Sequence, residues 1–337
     1  MENSNESQRR TAPFKRNIDL EHLLASLNAS LSVAEDQFLR ESSDAVAEHP
    51  IIFVMGPLRS GTTLFMQWLA SSGIVAYPTN LLSRFYGAPA IGAQIQLLLT
   101  DPRYDFRNEI PDFRTAISFL SENGKTTGTL EPNEFWYFWR RFLPFQELDW
   151  LPDEELFRVV DQSTLRSELT ALTRVFDKPF ALKAMILNYN IPFLDAIFEK
   201  AVFVQLRRDP VTNIASVLDA RKRQLGSREQ WYSFKIPEYP QLKDLDAISQ
   251  ATGQVVSIDN AVTKGMGSLN EAKKLVVQYE EFCEKPSLVF RELLEKLGID
   301  EAQNSYDGPE RFKISRSADL ADRDAIKSAL ETFTARQ

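Results

Sequence analysis

The sequence predicts a three-layer α/β/α fold with a central parallel sheet. Three observations predict it. Ile51–Met55 is a short, unbroken apolar run, and residues 201–206 read as a second buried strand. Each is followed by an amphipathic segment of helical period. The two kinds of segment then alternate along the chain. An apolar run without alternation suits a strand buried on both faces, and strand–helix alternation places helices on both sides of a parallel sheet.

The elements follow in order. Residues 1–17 are rich in Asn, Ser, Gln and Arg and read as a disordered arm. Residues 18–337 read as one domain with helical insertions, because no repeat or low-complexity linker interrupts them. Residues 18–47 carry helical spacing through Leu20, Leu23, Leu24, Leu27 and Leu31. Ile51–Met55 is the first strand. Thr62–Ser72 is a helix with Leu64, Phe65, Trp68 and Leu69 on one face. A strand at 180–184 and a helix at 191–199 come next. A strand at 201–206 precedes a helix at 210–223. A strand at 275–278 precedes a helix at 287–297, which Gly298 stops. Residues 134–142 read Glu-Phe-Trp-Tyr-Phe-Trp-Arg-Arg-Phe, a core helix with aromatics packed on the sheet.

Composition removes several function classes. The 337 residues hold 47 Asp plus Glu against 39 Lys plus Arg, a net charge of −8. Such a chain is a poor non-specific binder of nucleic acid, so a polyanion must find a local basic pocket. The single cysteine, Cys283, forms no intrachain disulfide and fits a reducing compartment. Two histidines, His22 and His49, are too few for a histidine-rich metal site. Residues 1–10 are polar and lack the apolar stretch of a signal peptide. The longest apolar candidate, 88–99, is broken by Gln94 and Gln96 and falls short of the ~20 residues a membrane span needs. The expectation is a soluble, cytoplasmic protein.

Two stretches point to anion chemistry. Gly56-Pro57-Leu58-Arg59-Ser60-Gly61-Thr62-Thr63 follows the first strand and opens a helix. It keeps both glycines and the final hydroxyl of the Walker A pattern G-x-x-x-x-G-K-[ST]. Thr62 replaces the lysine, and Arg59 places a cation inside the loop. Glycines let the backbone approach a ligand, and free N–H groups at a helix start face an anion. The lost lysine is the one that grips β- and γ-phosphates, so a shorter phosphate chain suits this loop. The second stretch, Leu206-Arg207-Arg208-Asp209-Pro210, ends the second strong strand. Asp209 is a good N-cap and Pro210 fits the first helical position. Ser216 lies roughly 10–12 Å along that helix at ~1.5 Å per residue, within reach of a long arginine side chain. Arg221 and Arg223 add charge to the same helix.

Together these motifs resemble the sulfotransferases that use 3′-phosphoadenosine 5′-phosphosulfate. The first looks like the 5′-phosphosulfate loop of bacterial and tyrosylprotein members, and the second like the 3′-phosphate motif. The resemblance implies that Arg59, Ser60, Gly61, Thr62 and Thr63 hold the 5′ side, and that Arg208 and Ser216 hold the 3′-phosphate. A third segment, Val277-Gln278-Tyr279-Glu280-Glu281-Phe282, makes Tyr279 a neighbour of the nucleotide. The resemblance covers about residues 50–300. It implies a P-loop NTPase-like α/β fold, the phosphosulfate donor with adenosine 3′,5′-bisphosphate as its product, and no metal.

It also implies in-line sulfuryl transfer, with catalysis by positioning and charge stabilisation. Arg59 and the loop N–H groups face the bridging oxygen, where charge develops. Lys183, closing the 180–184 strand, stands where related enzymes place a lysine near the transferred group. Two familiar bases are missing. Met185 stands where cytosolic members have histidine, and Asn80 where tyrosylprotein members have glutamate. Glu134 and Glu131 are the remaining candidates beside the aromatic helix, and a base that is neither stays open. Asn80 could orient the acceptor. Trp231, Tyr232 and Pro237 suggest a mobile flap hinged at Gly226, and Lys313 and Arg316 could close on the phosphates. The acceptor expected is a hydroxyl of a small molecule or carbohydrate. An amine or guanidine acceptor, a degenerate kinase and a non-catalytic nucleotide-binding relative are the alternatives.

Overall fold

The computed structural model describes residues 10–11, 17–41, 48–104, 107, 109, 113, 116–122, 124–314 and 322–335. Four strands form one parallel sheet: β1 (Ile51–Met55), β2 (Phe180–Lys183), β3 (Ala201–Arg207) and β4 (Lys274–Gln278), in the order β2-β1-β3-β4. Phe53 pairs with Leu182 on one side and Phe203 on the other. The expected parallel sheet is therefore present, with strand ends within a residue of expectation. Every residue of β1 is buried, which explains its unbroken apolar run. β4 lies at an edge and alternates, with Val276 exposed.

The residues of β1 divide between two cores. Ile51, Phe53 and Met55 join one, with Trp139, Phe180, Phe203 and Ile258. Ile52 and Val54 join the other, with Phe65, Trp68, Phe282 and Leu293. That two-residue alternation is the pleat of a strand covered on both faces. The first core is backed by helices Trp136–Phe142, Gln162–Phe176 and Ala247–Gly267, the second by Thr62–Ser72 and Pro286–Leu297. Trp68 meets Phe282 edge-on at 5.1 Å between ring centroids, a favourable aromatic geometry.

The long first helix spans Ile18–Glu41, and residues 42–47 of the expected 18–47 lie outside the described residues. Its leucine stripe is only partly its buried face: Leu24 is buried but Leu23 and Leu27 are exposed, and the other buried positions are Asn28 and Glu35. Polar docking is the reason. Asn28 Oδ1 accepts from the Gly87 N–H at 2.7 Å, and its Nδ2 donates to Arg84 O at 2.9 Å. The Glu35 carboxylate accepts from the N–H groups of Ala90 and Ile91 at 2.8 and 2.9 Å, at the start of the Pro89–Thr100 helix. A carboxylate there satisfies orphan donors and complements the helix dipole.

Candidate active site

All four strands contribute at their carboxyl ends. The Gly56–Thr63 stretch follows β1, Lys183 ends β2, Arg208 follows β3 and Tyr279 follows β4. Two buried asparagines hold the loop. Asn188 exchanges two hydrogen bonds with Gly56: the Gly56 N–H donates to Oδ1 at 3.0 Å, and Nδ2 donates to Gly56 O at 2.9 Å. Asn213 Nδ2 donates to Leu58 O at 2.7 Å. The sequence carries no local signal for either clamp.

The loop suits an anion on two grounds, and its packing fixes it in place. The Thr62–Ser72 helix has no side-chain N-cap, so its first N–H groups are open to a ligand. The Ser60 hydroxyl is buried and has no hydrogen-bond partner among the described residues, a state a phosphate oxygen would relieve. Gly61, at φ +104°, comes so close to the third segment that an added Cβ would lie 2.2 Å from the Tyr279 ring. Loop and β4 end are thus packed into one wall.

Arg59 joins the two expected half-sites. It adopts φ +64°. Its Nε donates to Ser216 Oγ at 3.3 Å, and its carbonyl accepts from Arg208 Nη1 at 2.9 Å. The expected Arg208–Ser216 meeting is therefore organised around Arg59. The Arg208 guanidinium lies 4.7 Å from the centroid of the Tyr279 ring. Burial is the main cause pushing its pKa below the ordinary arginine value, with Arg59 adding to it. A phosphate would compensate that lost hydration. Arg221 and Arg223 do not join the cluster. Arg221 is wholly buried and donates to Gln250 Oε1 at 2.9 Å, while Arg223 pairs with Asp219.

Lys183 is 5% exposed, and its Nζ donates to Thr63 Oγ1 at 2.8 Å and to Glu134 Oε1 at 3.2 Å. Its carbonyl accepts from Trp139 Nε1 at 2.9 Å, which fastens the aromatic helix to the end of β2. Glu134 is half-exposed. The next residue, Phe135, turns the chain at φ +55° into the Trp136–Phe142 helix. A methyl group placed on Gly124 would lie 3.5 Å from Thr63 Oγ1 and 3.8 Å from both Arg59 Nη1 and Glu134 Oε1. Loop arginine, loop threonine and acid therefore surround one point. Thr62 Oγ1 lies 3.6 Å from Met185 Sδ.

Glu131 stands apart from this group. It is buried, with Oε1 accepting from the Ser118 N–H and hydroxyl at 2.6 and 2.7 Å, and Oε2 accepting from Gln67 Nε2 at 2.9 Å. Asn80 is also engaged with protein. Its Nδ2 donates to Gly128 O at 2.9 Å and its Oδ1 accepts from Asn133 Nδ2 at 2.8 Å. The expected flap is tied down: Gln254 Nε2 donates to the carbonyls of Tyr232 and Phe234 at 3.0 and 3.2 Å, and Trp231 Nε1 to Phe234 O at 2.9 Å. Lys313 is exposed, and Arg316 lies outside the described residues. Among the described residues, one group of acid and histidine side chains is close enough to share a cation: Glu48, His49 and Asp177. It lies just before β1 and β2, at the opposite end of the strands. No described helix is long and apolar enough to cross a membrane.

Comparison with known proteins agrees with this architecture. No curated protein matches the chain. Among solved structures, sulfotransferase STF9 from Mycobacterium avium is 17% identical, with a TM-score of 0.56 over 99% of this chain and 88% of that one. Sulfotransferase STF1 from Mycobacterium tuberculosis H37Rv is 16% identical, with a TM-score of 0.52 over 90% of this chain and 81% of that one. At such identities the likeness shows the fold. The model of the sulfotransferase family matches residues 50–303, three quarters of the chain. The chain belongs to the sulfotransferase family.

Proposed function

We propose that this sulfotransferase takes its sulfuryl group from 3′-phosphoadenosine 5′-phosphosulfate and delivers it to a hydroxyl of a small molecule or carbohydrate. The observation that carries the reading is the position of Lys183, a buried cation between Thr63 of the phosphate loop and the half-exposed acid Glu134. When bound, the donor supplies an activated sulfuryl group whose bridging oxygen gains negative charge as the bond to sulfur breaks.

The side chains divide the work. Ser60, Thr62, Thr63 and the N–H groups at the helix start would hold the 5′ side. Arg208 and Ser216 would hold the 3′-phosphate, with the Tyr279 ring beside them. Arg59, in contact with both Arg208 and Ser216, keeps the two ends in register. Arg59 and Lys183 supply positive charge where negative charge develops, a role worth about 10²–10³ in rate per donor. Glu134 accepts the proton of the acceptor hydroxyl. The Glu131 carboxylate, held by three donors, ties Ser118 to Gln67 of the Thr62–Ser72 helix.

Calorimetric titration tests the donor. Adenosine 3′,5′-bisphosphate should bind without added metal and more tightly than ATP with magnesium, and Arg59→Ala should weaken it. Preference for ATP with magnesium would favour a kinase instead. Transfer of labelled sulfate to any member of a panel of sugars, phenols and steroids tests the reaction.

A further inference from the structure

The groups assigned to the transfer come from separate parts of the chain, and one glycine meets three of them. A first side-chain carbon on Gly124 would lie 3.5 Å from Thr63 Oγ1, 3.8 Å from Arg59 Nη1 and 3.8 Å from Glu134 Oε1. Lys183 Nζ bonds two of the same atoms, Thr63 Oγ1 at 2.8 Å and Glu134 Oε1 at 3.2 Å. A hydrogen bond holds an acceptor oxygen about 2.7–3.2 Å from its donor. A group that bonds Thr63 and Arg59 while facing Glu134 therefore needs the space that such a carbon would fill.

Gly124 is held at this place from both sides. Reciprocal backbone hydrogen bonds of 2.9 Å join Glu122 and Lys125 around it. Before it, Gln67 Nε2 of the Thr62–Ser72 helix donates to Leu120 O at 3.0 Å. After it, Thr126 Oγ1 donates to Pro132 O at 2.8 Å, and Asn80 Nδ2 donates to Thr126 Oγ1 at 3.3 Å. Asn80, the residue expected to orient an acceptor, thus steadies the segment that carries Gly124. The backbone of Gly124 stands at φ +89°, which L side chains rarely adopt. That conformation accounts for a glycine. It does not account for a missing side chain aimed at the loop arginine, the loop threonine and the acid together. Gly73 shows the contrast: at φ +70°, it has nothing within 4 Å of an added carbon.

We infer that Gly124 is a specificity-determining residue of the transfer site: its lack of a side chain leaves room for the sulfuryl group between the phosphate loop and Glu134. A methyl group there excludes the sulfated donor and still admits the bisphosphate, which carries no sulfuryl group. This rests on the sulfuryl-transfer reading above.

The test titrates the full chain with adenosine 3′,5′-bisphosphate and with 3′-phosphoadenosine 5′-phosphosulfate, which differ by the sulfuryl group. Absence of bisphosphate binding to the parent would overturn the proposed function, and this inference with it. On a parent that binds, the remaining outcomes concern Gly124 alone. Gly124→Ala should lower the affinity for the phosphosulfate tenfold or more and leave that for the bisphosphate within twofold. Gly73→Ala, which meets the same kind of backbone strain in open space, should change neither affinity more than twofold. Equal losses for the two nucleotides in Gly124→Ala, or no loss for either, would overturn the assignment. A second measurement needs no variant and decides the matter if Gly124→Ala does not fold. Asn123-Gly124 is the only Asn-Gly pair in the sequence, so carbonyl-labelled asparagine with nitrogen-labelled glycine isolates the Gly124 amide signal in NMR. The phosphosulfate should shift that signal, and the bisphosphate should leave it nearly in place. Equal shifts with both, or no shift with the phosphosulfate, would place Gly124 away from the transferred group.

Discussion

Lys183 Nζ reaches the Glu134 carboxylate at 3.2 Å while also donating to Thr63 Oγ1 at 2.8 Å. One buried ammonium thus joins the end of β2, the phosphate loop and the acid ahead of the aromatic helix. Replacing either partner should separate chemistry from nucleotide binding. Glu134→Gln should lower kcat by about 10²–10⁴, and Lys183→Met by about 10²–10³. Both should leave the affinity for adenosine 3′,5′-bisphosphate within a few-fold, as calorimetry and a labelled-sulfate assay would register. Full activity in Glu134→Gln would remove it as the base.

Glu131→Gln should behave differently. A glutamine in the same rotamer points an NH₂ group at the Ser118 or Gln67 donors that now meet the carboxylate. A buried donor facing another donor costs about 1–3 kcal/mol. The expected signature is a lower denaturant midpoint with kcat reduced far less than in Glu134→Gln.

Gly61→Ala should fail for steric reasons. The new methyl would overlap the Tyr279 ring, on a backbone already at φ +104°. Overpacking of this kind costs about 1–3 kcal/mol. Displacement of the ring would also disturb Arg208 above it, so nucleotide affinity should fall together with stability. Pairing the change with Tyr279→Ala should recover part of the stability.

Arg208→Ala tests the second anion site. A charge-assisted hydrogen bond contributes about 1.5–3 kcal/mol, so the affinity for adenosine 3′,5′-bisphosphate should fall roughly 10- to 100-fold by the conversion of ~1.4 kcal/mol per decade. Adenosine 5′-monophosphate, lacking the 3′-phosphate, should lose much less. Equal losses for the two nucleotides would place Arg208 elsewhere.

Glu168 predicts a pH dependence of stability. Its carboxyl is buried, and burial outweighs the neighbouring Arg141 guanidinium, pushing its pKa from 4.5 up to about 7. The native state therefore holds this proton more tightly than the unfolded chain. The stability it contributes is complete below about pH 4.5 and is lost as pH rises through about 7. Glu168→Gln mimics the protonated form. Unfolding midpoints measured from pH 5 to pH 8 should fall more steeply for the parent than for this variant, and parallel curves would contradict the assignment.

The parts of this architecture legible in the sequence are those with local causes. β1 reads as an apolar run and β3 as a largely apolar one because both faces are covered, and the phosphate loop reads through its glycines. The Asp209 cap and Pro210 start announced the next helix, where Asp209 Oδ1 accepts from the Thr212 N–H at 2.8 Å. Three things were not legible. Asn188 and Asn213 hold the loop from 132 and 155 residues away, and nothing in their surroundings marks an amide for that task. Ala247–Gly267 buries Gln250, Thr252 and Gln254 among its apolar side chains, which blurs the hydrophobic period a helix normally shows. The pairing of Glu134 with Lys183, against the burial of Glu131 among Ser118 and Gln67, depends on tertiary packing that two acids three positions apart cannot reveal.

The groups proposed to face the donor issue from the ends of four adjacent strands, whereas Glu134 rides on a segment outside the sheet. On the proposed roles, the two halves of the site are consequently separable in inheritance. Insertions and substitutions in the outer segments can retarget such a protein to new compounds without retuning how it is fuelled. Grafting those segments onto a relative with a different preference is the corresponding engineering route.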